Sequence, residues 1–522
     1  MLECIALIGA AVSFGIFRYR RGELSKKRLS VFIVCISSSV ILGANAYSTS
    51  PKKALWHFCG GCATVLILYY FSDTKKFREQ LNSLLIMGLG FLVKLYYVLV
   101  TSVYTRQHDV FSFDSSSGHA GYIEYLLQNH HLSDFDPRDR WQFVHPPLHH
   151  AISAVWIYLH ENILRVGRNP ARESLQMLTL FYSVCIVISA YRIFKLLGVK
   201  GKVLYISLMI ASFHPAYILL SGSINNDVLT AALVMGAVAS TLEWCHEPNL
   251  KNILKIALCI GLAMMTKISA ATVAPPVALV FLIVFIRNFK DKGKVLFGQF
   301  CAFGAVCIPL GLWFGIRNYI KWKIPLTFVS EMDKGCLQYI GDKPFLQRIK
   351  DFSLYQFSSP FEQWAWLDEN GAIKGYNEFN PLVSLLKNSL FGEYINDGCF
   401  MSAYTVIFAK LLFWVNFLLA TLAFVYMIYH CVRKPNIQKL FLGAFHITLM
   451  ISFYKAAADY PFTCTMNFRY ITPIVITGAS FIGYTLCLDS GDAKITKIRS
   501  KAISTAVILF SLMSVLVYTA LW

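Results

Sequence analysis

Six short clusters of ionisable and amide residues stand out in an otherwise apolar chain: Arg106-Gln107-His108-Asp109, His145-Pro146-Pro147-Leu148-His149-His150, Asn225-Asn226-Asp227, Thr266-Lys267, Arg317-Asn318-Tyr319 and Asn467-Phe468-Arg469-Tyr470. These residue types suit proton transfer and the neutralisation of an anion, because carboxylates accept protons while ammonium and guanidinium groups pair with negative oxygens. Taken singly, each cluster reads equally well as a solvated helix end, since Asn and Asp are ordinary helix caps. Common placement on one side of a membrane is what would argue for a shared site.

Histidine usage is skewed in the same direction. Seven of the thirteen (His108, His119, His130, His131, His145, His149 and His150) fall within residues 104–150. His145 and His149 stand four apart and with Asp109 would make a zinc set of imidazole and carboxylate. No HExxH or tight ligand spacing supports it, so no cofactor is assigned and a divalent metal is not favoured. Substrate contacts by His119, His145 and His149, or plain hydrogen bonding in a membrane-surface loop, are the competing readings.

The elements that must position these residues follow from composition. Of the 522 residues 56% are hydrophobic and only 15% charged, whereas soluble domains carry about a quarter charged residues, which excludes a soluble enzyme. Apolar runs near 1–17, 30–47, 54–71, 83–103, 174–191, 203–221, 228–244, 256–272, 273–286, 296–315, 404–431, 440–455, 470–488 and 503–521 match the roughly 20 residues that cross the hydrocarbon. They predict an all-α polytopic bundle of about 14 helices. The first run lacks a small-residue cleavage site and is expected to be a retained helix. Fourteen scattered cysteines, Cys35, Cys185, Cys259 and Cys307 among them, lack paired spacing and read as small core residues.

Charge supplies the sidedness. The alternate loops 18–29, 72–80, 192–202, 245–255, 287–294, 432–439 and 489–501 hold 26 basic and 7 acidic residues, so the whole net charge of +19 lies in them. Short cytoplasmic loops are enriched in Lys and Arg, which makes the charge a statement of topology and removes any need for a nucleic-acid partner. Both termini and all six polar clusters then fall outside the cytoplasm. A crossing at 147–164 would invert every later loop, so this segment is expected to be an amphipathic surface helix that turns His149, His150 and His160 toward water or protein.

Domain boundaries follow. Residues 1–75 hold three leading helices, 83–316 a transmembrane core with the external loop 104–173, 317–403 a small external cap and 404–522 the C-terminal helices. Tyr339, Tyr355, Phe357, Phe361, Trp364, Trp366 and Tyr376 crowd the cap, where aromatic faces suit sugar C–H surfaces or the membrane interface.

The order of these pieces resembles the integral-membrane glycosyltransferases of the GT-C fold, and within them the protein O-mannosyltransferase and aminoarabinose-transferase-like group. The matching motifs are His108-Asp109 early in the first long external loop, Pro146-Pro147-Leu148 later in it, Gly-Ser-Ile-Asn-Asn-Asp over 222–227, Gly-Leu-Ala-Met-Met-Thr-Lys over 261–267, Arg-Asn-Tyr over 317–319 and Phe-Arg-Tyr-Ile-Thr-Pro over 468–473. Three features depart from that group: the extra leading helices, His108 where an acidic residue commonly precedes a second acid, and the short cap. The resemblance implies transfer of a sugar from a polyprenyl-phosphate donor to a glycan, lipid or protein acceptor, among membrane lipids. It implies Asp109, with His108 beside it, as the base, with Asp114, Glu124 and Asp227 as alternatives. Lys267, Arg469 and thirdly Arg317 would neutralise the donor phosphate, while Asn226, Asp227 and His145 would order the loop or touch substrate.

A transporter or lipid flippase is the main rival, but no second copy of any cluster gives the internal repeat such proteins usually carry. A membrane O-acyltransferase built on His214, His430 or His446 is the third reading. The chain has no Asn-x-Ser/Thr sequon and no ER-retention tail, and a bacterial plasma membrane with an outward-facing site is the expected setting.

Overall fold

A backbone in hydrocarbon must satisfy its own hydrogen bonds, so apolar runs of this length become helices. The computed structural model describes residues 74–400, 402–488 and 494–521. The expected helices over 1–71, the basic loop 18–29 and Cys35 lie outside these residues. The first half of the described chain comprises α1 (Thr74–Val100), α2 (Gly118–Asn129), α3 (Leu148–Tyr158), α4 (Arg168–Glu173), α5 (Leu175–Leu196), α6 (Gly201–Phe213), α7 (Pro215–Gly222), α8 (Asp227–His246), α9 (Leu250–Met264) and α10 (Ala274–Trp322). After it come α11 (Phe345–Lys350), a two-stranded antiparallel ribbon of β1 (Trp366–Leu367) and β2 (Ile373–Lys374), and α12 (Pro381–Phe391). The chain ends with α13 (Ala403–Arg433), α14 (Ile437–Asp459), α15 (Ile474–Leu488) and α16 (Lys494–Thr519).

Every apolar run expected over the described residues lies largely on helix, and fewer single helices than the eleven runs are long and apolar enough to span by themselves. Seven helices among the described residues are long and apolar enough to cross a membrane, or nine if each bent pair is one span. Two differences account for the gap from eleven. Helix α9 has only 15 residues, and α10 joins two helices across a kink at Asn288 (φ −114°, ψ 15°), so the two runs expected there fall within one long candidate. The turn expected at 272/273 sits instead at Met265–Lys267, where Lys267 adopts extended backbone (φ −156°, ψ 123°). Leu148 N–H donates to the Met265 carbonyl (3.1 Å), so an outer loop completes the end of α9. Pro275 and Pro276 then lie in the first turn of α10, where a missing N–H costs nothing.

The segment 147–164 forms α3 followed by a π turn over Leu159–Ile163, and it is not among the spanning helices. His149, His150 and His160 all point into protein and are buried. Helix α10 continues to Trp322, so the cap begins some six residues later than expected. The cap is anchored by charges taken out of water together: Lys387 Nζ meets Glu378 Oε2 at 2.6 Å with both side chains fully buried. Glu362 accepts from Ser384 Oγ and Asn388 Nδ2, each at 2.7 Å. Phe361 packs edge-on against Phe391, whereas Trp366 is exposed. The cysteines at 185, 259 and 307 are free, and only Cys307 is fully buried.

Contacts join several basic loops at one end of the bundle. Glu79 pairs with Lys195 (2.6 Å) and accepts from Gly201 N–H (2.7 Å), Glu243 pairs with Arg192 and Lys255, and Gln438 meets His246 at 2.8 Å. Deep in the bundle, Lys94 of α1 donates to the Ser212 carbonyl of α6 (2.6 Å) just before the α6–α7 bend. Gly90 makes this approach possible, because a Cβ there would lie 2.7 Å from Ser212 Cβ and 2.8 Å from its carbonyl oxygen. Overpacking of this kind costs about 1–3 kcal/mol. Gly90→Ala is therefore expected to lower the melting temperature of the detergent-solubilised protein, while Gly88→Ala, whose added Cβ meets nothing within 4 Å, should leave it unchanged.

Candidate functional site

The loop between α1 and α2 carries Asp109 in an unusual backbone. Arg106, Asp109 and Phe111 all have positive φ (55°, 58° and 56°), a conformation costing a non-glycine residue about 1–3 kcal/mol unless its surroundings enforce it. Gln107 supplies much of the enforcement: its Nε2 donates to the Gly222 carbonyl (2.8 Å) and its Oε1 accepts from Ile224 N–H (3.0 Å). His119 N–H donates to the Asp109 carbonyl (2.9 Å) and Ala120 N–H to that of Val110 (3.0 Å). Gly118 starts α2 at φ +82°, and a Cβ there would lie 2.5 Å from the Val110 carbonyl oxygen.

The turn before α8 is fastened to the turn after α9. Asn226 occupies the N-cap position of α8 without capping it; its Nδ2 donates to the Thr266 carbonyl (3.1 Å) instead. Asp227 N–H is taken by Asn225 Oδ1 (3.1 Å). Its carboxylate stands in the first turn of α8, where the helix dipole favours negative charge, and forms an ion pair with Lys267. Lys267 was expected inside an apolar helix and proves to sit in the break after it.

Arg469 enters from a 3₁₀ turn, Phe468–Ile471, capped by Asn467 Oδ1 on Arg469 N–H (2.9 Å). One guanidinium nitrogen, Nη2, lies 3.1 Å from Asp109 Oδ2, and Nε lies 3.5 Å from Asp227 Oδ2. The four charges therefore alternate in sign from Asp109 through Arg469 and Asp227 to Lys267. Tyr470 backs the two cations, its ring centroid 4.7 Å from Lys267 Nζ and 5.0 Å from Arg469 Cζ, while its hydroxyl accepts from Arg469 Nη2 (2.9 Å). Arg469 Nε is buried and has no hydrogen-bond partner. Although the Asp109 side chain is 36% exposed, desolvation among its neighbours raises its carboxyl to about 6, and the Glu393 carboxylate adds to the rise.

The histidines lie close by but are occupied with one another. His119 Nδ1 lies 2.9 Å from His150 Nε2, and the His119 ring stacks on His145 and His150. His149 Nε2 donates to the Ile224 carbonyl (2.8 Å). Burial lowers His145 and His149 to about 4 and holds His119 well below its ordinary value. Through its bond to Ile224, His149 ties this cluster of rings to the 223–227 turn. Among the described residues no three His, Cys, Asp or Glu side chains gather to hold a metal, so His145, His149 and Asp109 do not assemble as a zinc set. Arg317 donates to the Ser133 carbonyl and to Asn318 Oδ1 and packs on Trp322, contacts that keep it with the outer loop. His430 and His446 reach threonines of α15, Thr485 (3.0 Å) and Thr477 (2.8 Å), as interhelical ties, and His214 caps α7.

Two features escaped the sequence reading. Glu393, just beyond α12, lies 3.2 Å from His108 and accepts a hydrogen bond from Asn467. Nothing in residue spacing links positions so far apart. An apolar cavity of about 1150 Å³ lies between α13, α14, α15 and the cap helices, lined by Leu386, Phe417, Met450 and Ile474 and reaching Phe468 beside Arg469.

Residues 145–313 match the family model for dolichyl-phosphate-mannose-protein mannosyltransferases. The match spans about a third of the chain, including His145, the Pro-Pro-Leu motif, Asp227 and Lys267, so the resemblance seen in the sequence is met there. The solved structure of ArnT from Cupriavidus metallidurans in its apo state is similar at 12% identity, with a TM-score of 0.45, covering 84% of this chain and 75% of that one. That of ArnT from the same organism bound to undecaprenyl phosphate gives 11% identity, a TM-score of 0.48, and 84% and 76% coverage. No curated protein matches.

Gly118→Ala combines a positive φ with a steric clash, and should destabilise the protein by about 1–3 kcal/mol; thermal unfolding measures it.

Proposed function

We propose that this integral-membrane chain, which carries the mannosyltransferase family signature over residues 145–313, is a glycosyltransferase that moves a sugar from a polyprenyl-phosphate donor to an acceptor hydroxyl at the extracytoplasmic face. The observation that carries the reading is the alternating group Asp109–Arg469–Asp227–Lys267, drawn from four separate segments.

Transfer forms a bond from the acceptor oxygen to the anomeric carbon and breaks the bond from that carbon to the phosphate oxygen. Asp109 takes the acceptor proton, a role suited to a carboxylate within hydrogen-bond reach. Arg469 and Lys267 stabilise the departing lipid phosphate, which they do more strongly in a water-poor site than in bulk water. Asp227 holds both cations beforehand, so the donor meets an arranged pair. The apolar cavity reaching Phe468 suits the polyprenyl chain, because its walls take up apolar surface without an unmet polar group. The outward orientation rests on the basic loops, which would place the other end of the bundle in the cytoplasm.

Asp109→Asn removes the proton acceptor while keeping a residue tolerant of positive φ. It should abolish transfer and leave membrane insertion and donor binding intact; full activity in this variant would refute the assignment. Lys267→Ala should weaken undecaprenyl-phosphate binding at least tenfold, and an unchanged affinity would remove Lys267 from the phosphate site. Because the base must be ionised and Asp109 is raised to about 6, kcat/KM should fall as pH drops through about 6 rather than about 4, as read from a pH–rate profile.

A further inference from the structure

We infer that Glu393 is a positioning residue of the transfer site, holding Asp109 through His108 and so making the external cap part of the catalytic apparatus; this rests on the function proposed above. Glu393 follows α12, and Gly392 (φ +59°) turns the chain so that the carboxylate enters the protein, where its side chain is 3% exposed. A carboxylate buried to this degree is costly unless its oxygens are engaged. Here each oxygen holds a different strand of the site. Oε2 lies 3.2 Å from His108 Nδ1, and His108 directly precedes Asp109. Oε1 accepts from Asn467, whose own side-chain oxygen caps the turn that presents Arg469. Glu393 thus fastens both members of the Asp109–Arg469 ion pair from a third segment of the chain.

The backbone shows why such a fastening matters. Arg106 and Asp109 flank Gln107-His108 in left-handed conformations, and Gln107 is tied to the turn before α8. His108 is held on the opposite side, by Glu393 and by its ring against Tyr394 (centroids 5.0 Å apart). A small cavity of about 40 Å³ lies where these groups meet, lined by Arg106, His108, Glu393, Asn467 and Arg469. Loss of the Glu393 carboxylate removes the polar fastening of His108 and leaves Gln107 and Arg469 to hold the loop, which would let Asp109 drift from its reactive geometry while Lys267 and Asp227 keep theirs.

The test is a double-mutant cycle in the full chain with Glu393→Gln, His108→Gln and the pair. Turnover is measured with a polyprenyl-phosphate sugar and equilibrium binding with undecaprenyl phosphate. Because Glu393→Gln keeps an oxygen to accept from Asn467 and so leaves the Arg469 turn in place, each single variant should lower kcat at least tenfold, leave undecaprenyl-phosphate affinity within threefold, and retain the wild-type melting temperature within a few degrees. The double variant should be no slower than the worse single one. Losses that multiply, or an affinity that falls in step with kcat, would overturn the inference and make Glu393 a brace of the fold. If Glu393→Gln does not fold, His108→Gln alone decides through the same split between kcat and affinity. Wild-type protein that transfers no sugar from any polyprenyl phosphate would overturn the proposed function and this inference with it, whereas an active wild type with multiplying losses overturns this inference alone.

Discussion

Asp227 stands between two cations, and the arrangement of the site depends on that. A carboxylate with 5% of its side chain exposed is tolerable only if opposite charge is at hand, and Lys267 and Arg469 supply it from opposite sides. Since Asp227 begins α8, Lys267 ends the turn after α9 and Arg469 belongs to the turn before α15, satisfying this one charge brings three helix ends together. The requirement also explains why α9 stops at Met264. If the helix continued, Lys267 would stay on its cylinder; leaving it lets the ammonium turn to the start of α8.

Asp109 joins this group under strain. Its left-handed backbone and raised carboxyl are both unfavourable in isolation, and Gln107, Glu393 and Arg469 hold it there from three directions. Strain held at a charged position by its surroundings is consistent with the base role proposed for Asp109. The histidine cluster gives firmness without charge. Its buried rings are neutral, so they support the turn before α8 without competing for an anion that the two cations would bind.

The cap adds the third layer. Its aromatic residues suited sugar faces or the membrane interface equally well, and several are spent on packing: Phe361 meets Phe391, Tyr355 meets Tyr376 and Trp364 meets Tyr394. The cap instead contributes polar groups, the buried Lys387–Glu378 pair as an anchor and Glu393 as the contact with the first loop. The apolar cavity beneath it is bounded by bundle helices and cap helices together, so the same segment shapes both the polar and the apolar parts of the site.

Hydrophobic run length and basic-loop alternation determined, from sequence alone, a polytopic helical protein with its polar clusters at one end. These properties are local sums that no distant contact can reverse. Residue type also singled out Asp109, Asp227, Lys267 and Arg469, because an ionised group near hydrocarbon is retained only with a reason. Spacing could not say which of six similar clusters meet. Arg317 and Lys267 look alike as basic residues at helix ends, and only the bundle's packing sends one to Ser133 and the other to Asp227. The break after α9 was misplaced for the same reason, since it is set by a partner forty residues upstream rather than by a local helix breaker. Glu393 was invisible because its significance lies wholly in His108 and Asn467, which reach it from opposite directions along the chain. Electrostatic pairing of buried charge is a tertiary property, and it decided the site.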